Sequence, residues 1–346
     1  MSINEYNRLN SIDICKGISV AIMIIANFSR DVLNPNEIYF SHRVFSSLSA
    51  PIFFFFAGYL SINSQKSIKS HLYRSLWLLA TAVLIDVFVW NIIPFNNFDV
   101  LYTISLSVFL IQVIRGLSIN YLVVAMCILV ISSLLLNFYQ YRIQINETNI
   151  IKLYNHKHLF EINNSFKRLI FDGWFPLFPW CAIAFIGAYY KVKLEIYFNR
   201  LFTSNRHFSV LTIFLFLLIY ILNTRNISSN LRDGYVEIFY PVDFFMFVFF
   251  IVWVIWLNFF VNIFERKMQF FSVLGRYTLL IYIVHSIVSA YILSKLSEKF
   301  NYFEFISFCL IMFILFKLKA SFLERVRKAG YLAIIPFPIK KLTGLI

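Results

Sequence analysis

Ten apolar stretches recur along this chain, beginning near Ile12, Val44, Ser75, Val100, Tyr121, Trp174, Phe208, Phe239, Val273 and Phe303. Each approaches the roughly 20 residues that a helix needs to cross the hydrocarbon core of a bilayer. The fourth, LYTISLSVFLIQVI, and the tenth, FEFISFCLIMFILF, are the weakest of them. A water-soluble core cannot hide the 42 Phe of a 346-residue chain whose composition is 60% hydrophobic, 14% charged and +0.73 in mean hydropathy. Soluble chains carry about a quarter charged residues. In lipid the backbone must satisfy itself, so the stretches read as helices. The expected fold is all-α: a polytopic integral membrane bundle of about ten transmembrane helices.

Most of the 31 Lys and Arg fall on one side of such a bundle if the N-terminus is inside. Cytoplasmic loops carry this excess, so both termini are expected in the cytoplasm. The bundle is expected over residues 1–316. Residues 317–346, with KASFLERVRKAGYLAIIPFPIKK, read as a basic tail on the cytoplasmic leaflet. The net charge of +14 is then topology and contact with anionic lipid. A nucleic-acid partner is not expected, because no basic run is interleaved with aromatics. The four cysteines are scattered in apolar segments without metal-ligand spacing, so no metal is expected. MSINEYNRLNSID lacks the pattern of a cleavable signal. One long polar loop, about Tyr139 to Asp172, separates the fifth and sixth helices.

Ionisable groups in or beside spanning helices are expensive and are functional candidates. RLNSIDICKG places Arg8, Asp13 and Lys16 at the inner mouth of the first helix. Gly17 there permits close backbone approach. Asp13 and Lys16 share a face and can pair, and from spacing alone an anchoring charge cluster is the favoured explanation. Asn27 sits near the outer boundary, and the following loop brings Asp31 and then His42 to the mouth of the second helix. A histidine takes and returns a proton near neutral pH, which acyl transfer requires; a lone loop histidine is more often incidental. SSLSAPIFFFFAGYL, with Pro51 and Gly58, predicts a kinked and tightly packed second helix. FDGWFPLFPWCAIAFIGAYY opens the sixth with Asp172, Trp174, Pro176 and Pro179, a structured start; an interfacial aromatic belt also explains the tryptophan. LGRYTLLIYIVH puts Gly275 and Arg276 at the inner start of the ninth helix and His285 near its middle, either facing a wet interior or hydrogen-bonded between helices. Asp86 and Asp243 have no assigned role. No P-loop, nucleophile elbow or HExxH zinc motif occurs.

Taken in order, RLNSIDICKG, the helix ending at Asn27, IYFSHRVF, APIFFFFAGYL, DGWFPLFPWCAIAFIGAYY and LGRYTLLIYIVH resemble the transmembrane acyltransferase group of heparan-alpha-glucosaminide N-acetyltransferase and its bacterial relatives. That group is in turn similar to the acyltransferase-3 proteins. The resemblance runs over roughly residues 8–316. It implies transfer of an acetyl group from cytoplasmic acetyl-CoA to a sugar amine or hydroxyl of a glycan on the far side. It assigns catalysis to His42 and Asn27, with direct transfer and an acetyl-histidine both open. Acetyl-CoA falls to Arg8, Asp13, Lys16, Gly17, Arg276 and His285, and the acceptor to Asp31, Asp172 and Trp174. Lys16 stands where arginine is commoner. The loop between Asn27 and His42 differs in length from the animal enzyme's, and Asn27 replaces the histidine usual in the acyltransferase-3 branch. The implied partners are acetyl-CoA, a glycan and the bilayer, with a homodimer left open; the high Phe, Ile and Asn content, a matter of composition, points to a bacterial inner membrane. A polysaccharide polymerase, using Arg142, Lys152, Lys157, Lys167 and Arg168 of the long loop, and a lipid-linked glycan transporter are the competing readings.

Overall fold

The computed structural model describes residues 10–62, 67–139, 168–201, 205–225, 235–240 and 242–328. Among them the regular elements are helical, apart from an isolated bridge between Leu33 and Phe300. The helices are α1 (Asn10–Val32), α2 (Phe40–Ser46), α3 (Ser49–Ile62), α4 (Ile68–Ile85), α5 (Val100–Gly116), α6 (Tyr121–Tyr139), α7 (Leu177–Tyr189), α8 (Glu195–Leu201), α9 (Asn205–Thr224), α10 (Phe244–Arg276), α11 (Thr278–Tyr291) and α12 (Tyr302–Lys328). Seven helical runs among the described residues are long and apolar enough to span a membrane, while α5 and Tyr121–Leu134 are apolar but shorter. Large apolar side chains on these runs, such as Ile213, Phe216 and Leu318, are exposed. On an integral membrane protein that surface faces lipid rather than water.

Three departures from regular helix matter. The expected second helix is broken into α2 and α3 at Ser47–Leu48; Pro51 has no N–H to bond the Ser47 carbonyl, and its ring crowds that carbonyl. Helix widens into π turns at Asp86–Trp90, Arg168–Asp172 and Tyr190–Leu194. Such turns recur at functional sites because they re-aim side chains. The expected start of the ninth helix at Val273 is corrected: Gly275 and Arg276 end α10, Tyr277 breaks the helix, and α11 begins at Thr278. The last helix runs through position 316 to Lys328, and the rest of the predicted tail lies outside the described residues.

The chain packs as two compact units, Met1–Tyr39 with Val254–Ile346 and Phe40–Trp253. In the first, α1 packs on α11 and α12. In the second, α3, α5 and α6 pack on α7, and α4 packs on α5. Each unit is pinned by a reciprocal glycine crossing. In the first, a Cβ on Gly17 would overlap the Phe271 carbonyl, and a Cβ on Gly275 would overlap that of Asp13. In the second, Gly58 meets the Ala184 carbonyl and Gly187 meets that of Phe55. Small residues let backbones touch where lipid supplies no hydrophobic drive between helices. The second unit also buries an aromatic hub: Trp180 lies 5.1 Å from Phe54, 5.0 Å from Phe175 and 4.9 Å from Phe239, ring centre to ring centre.

Candidate active site

His42 lies on α2 and is buried. The next residue fixes that helix: Arg43 donates from Nη1 to the carbonyls of Tyr235 (3.3 Å) and Val236 (3.2 Å). Ser47 completes the seat, donating to the Arg43 carbonyl at 2.8 Å and accepting from Ile238 N–H at 2.9 Å. Tyr235 in turn stacks edge-on against Trp174 at 5.4 Å. Trp174 belongs to the structured start expected before α7. There Gly173 N–H bonds Arg168 O at 2.7 Å, Trp174 N–H bonds Asn97 O at 2.9 Å and Phe175 N–H bonds Phe98 O at 3.0 Å. The α2 segment, residues 235–240, the α7 start and the α4–α5 connection therefore meet at one end of the second unit. Asp172 closes the π turn before α7, and its side chain lies outside the described residues.

Asn27 and Asp31 belong to the first unit, one turn apart on α1, and face two residues one turn apart on α11. Asn27 Nδ2 donates to His285 Nε2 at 2.9 Å, and Ser289 Oγ donates to Asp31 Oδ2. His285 Nδ1 lies 3.2 Å from the Ile281 carbonyl and donates to it. The imidazole is thus the Nδ1–H tautomer, with Nε2 an acceptor. Lys299 Nζ also donates to the Asp31 carbonyl. α1 and α11 run parallel, since position along one increases with position along the other in both pairs.

Near the start of α1, Asp13 is buried with cations on two sides. Lys16 Nζ is 3.2 Å from Oδ1, and Arg276 Nε is 3.5 Å from Oδ2. Arg276 also holds Glu324 at 2.9 Å, and Glu324 accepts from the Tyr277 hydroxyl at 2.9 Å. Arg276 is committed to both acids. Gly17 beside it serves the helix crossing. Arg8 lies outside the described residues. His285 does not join this group; the structure brings it to Asn27.

Sequence reasoning passed over two polar groups of the second unit. Lys191, in the π turn after α7, bonds Glu195 at 2.5 Å and the Tyr59 hydroxyl at 3.1 Å, and Tyr59 donates to Glu195. Asp86, which had no role, accepts from the buried Tyr102 hydroxyl at 2.6 Å. Its signal was the polar run NNFD set among apolar residues shortly after it. Asp243 caps α10, accepting from Met246 N–H at 2.7 Å and pairing with Arg225 at 2.9 Å. Among the described residues no three His, Cys, Asp or Glu side chains gather as metal ligands would.

A family model described as heparan-alpha-glucosaminide N-acetyltransferase, catalytic, matches residues 8–225. The match contains Asn27, His42 and Trp174 and stops before Gly275, Arg276 and His285. No curated protein matches the chain.

Proposed function

This chain belongs to the heparan-alpha-glucosaminide N-acetyltransferase catalytic family, an integral membrane acetyltransferase family, and from that premise we propose that it moves an acetyl group from cytoplasmic acetyl-CoA to a sugar amine or hydroxyl of a glycan on the extracytoplasmic side. The observation that carries the reading is His42, within the family match, buried on a short helix that Arg43 and Ser47 fix against residues 235–240.

Acetyl-CoA supplies the acetyl group as an activated thioester. His42 takes the proton from the attacking amine or hydroxyl as the new bond to the acetyl carbon forms. As the carbon–sulfur bond breaks, His42 returns that proton to the departing thiol. Asn27, held by His285, retains one N–H and its Oδ1 for the carbonyl that gains negative charge or must be positioned. Lys16, Arg276 and Arg8 are the candidate partners of the donor's phosphates. Asp31, Asp172 and Trp174 are assigned to the acceptor. We also infer about ten crossings with both termini cytoplasmic, the basic end of α12 and the residues after it on the inner leaflet rather than a tail starting at 317, and a bacterial inner membrane, with a homodimer left open.

Purified protein in detergent, given labelled acetyl-CoA with and without glucosamine or a surface-glycan extract, tests this. Acceptor-dependent label transfer is expected and is lost in His42→Ala. Failure to bind acetyl-CoA would return the polymerase and transporter readings.

A further inference from the structure

The connection between α4 and α5 holds three non-glycine residues in left-handed backbone. Phe95 (φ 65°) and Phe98 (φ 48°) occupy left-handed backbone, as does Asn91 (φ 55°). Asparagine tolerates this; phenylalanine is strained by its Cβ. Beneath the connection lies a cluster in which Asp86, Asn96, Asn97, Tyr102 and Arg168 are all at least nine-tenths buried. Two of them open π turns, Asp86 on one side and Arg168 on the other. Arg168 Nη1 donates to the Asn96 carbonyl at 2.6 Å and to its side-chain oxygen. The Tyr102 hydroxyl holds Asp86 at 2.6 Å.

Two atoms in this cluster have no hydrogen-bond partner, Asn96 Nδ2 and Asn97 Oδ1, while the Asn97 amide nitrogen faces the Asp86 carboxylate. Asn97 is 2% exposed and leaves its side-chain oxygen unanswered. Buried polar atoms are nearly always partnered, and an exception asks for a ligand or a reason. These atoms ask for a group that both donates and accepts, beside a carboxylate. Hydroxyls flanking an amine meet that description: the hydroxyls answer Asn96 and Asn97, and the ammonium answers Asp86. Trp174, half-buried and hydrogen-bonded through its backbone N–H to Asn97 O, supplies an aromatic surface of the kind sugar rings pack on. The cover is thin, because the ring of Phe95 is 39% exposed and lies 5.1 Å from that of Tyr102. Through Trp174 and Tyr235 the cluster connects to Arg43, next to His42.

We propose that Asp86, Asn96, Asn97 and Tyr102, beside Trp174, form a binding subsite for the amine and neighbouring hydroxyls of an amino sugar. The proposal rests on the acetyltransferase reading and names where its acceptor is held.

Glucosamine binding to the full-length protein in detergent, without acetyl-CoA, is measured by calorimetry beside glucose. Glucosamine is expected to bind more tightly than glucose. Asp86→Asn and Asn97→Ala should each weaken it about tenfold, since a hydrogen bond to a charged or buried polar group is lost. Asp86→Asn should also erase the preference over glucose. Acetyl-CoA binding, measured on the same samples, shows that the variants are folded. Glucosamine binding that is absent in the wild type, or unchanged in both variants, overturns the subsite. Acetyl transfer that persists in that case leaves the enzymatic reading standing. Glucosamine binding that follows the expected pattern without acetyl-CoA binding would keep the subsite and sink the transferase.

Discussion

Asn27 and His285 are joined side chain to side chain at 2.9 Å, with the imidazole oriented from its other nitrogen by the Ile281 carbonyl. The bond fixes which way the Asn27 amide points. Its nitrogen spends one hydrogen on His285, so the other hydrogen and the oxygen face away. The histidine that the resemblance assigned to the donor lies against the amide proposed for catalysis and sets its orientation.

His285→Ala should therefore lower kcat by about tenfold or more, the scale on which a lost buried hydrogen bond misplaces a catalytic group. The KM for acetyl-CoA should stay within about twofold. His285→Gln places an acceptor near the position of Nε2 and should recover part of kcat. Equal damage from both variants, or a rise in donor KM with kcat unchanged, would show that His285 acts otherwise.

The glycine crossings make a stability prediction. Gly275→Ala sets a methyl group on the Asp13 carbonyl and Gly58→Ala sets one on that of Ala184. Each should destabilise by about 1–3 kcal/mol, the usual range for overpacking. Gly116, where a Cβ meets nothing within 4 Å, is the control, and its alanine variant should stay within about 0.5 kcal/mol. Thermal melting in detergent reads all three. Identical melting of Gly275→Ala and Gly116→Ala would mean that the backbones separate at little cost.

Much of this was legible in the sequence, for reasons of solvent. Lipid forces apolar length and helical backbone together, so the starts near Ile12, Val100, Tyr121 and Phe303 fall within two residues of observed helices. Gly17 and Gly58 could be read as points of close approach because small residues are the means of packing in lipid. Partners were less legible. The pairing of Asp13 with Lys16 could be read from their spacing, but the acid that Arg276 also holds could not, because Glu324 is far along the chain. Asp86 could be located but not interpreted, because Tyr102 and Asn97 meet it through a turn whose left-handed phenylalanines no local pattern announces.

The charge cluster at Asp13 separates donor binding from anchoring. If Lys16 holds a donor phosphate, Lys16→Gln should raise the KM for acetyl-CoA about three- to tenfold, as loss of a partly exposed charged contact does. The effect should shrink as salt rises. Glu324→Gln removes one of the two carboxylates that hold Arg276, so donor KM should fall at low salt. A lowered melting temperature with unchanged donor KM in Lys16→Gln would make the cluster an anchor only.

The pH dependence tests His42 most directly. A general base works in its neutral form, so protonation removes activity, and kcat/KM should fall with unit slope as pH drops below the histidine's titration. His42→Gln should lose about a hundredfold or more in kcat, and its residual rate should be flat across the same range. The mutated position then carries both the loss and the missing limb. A residual rate that keeps the acid limb would assign the titration to another group, and His42 would be left with a structural place on α2.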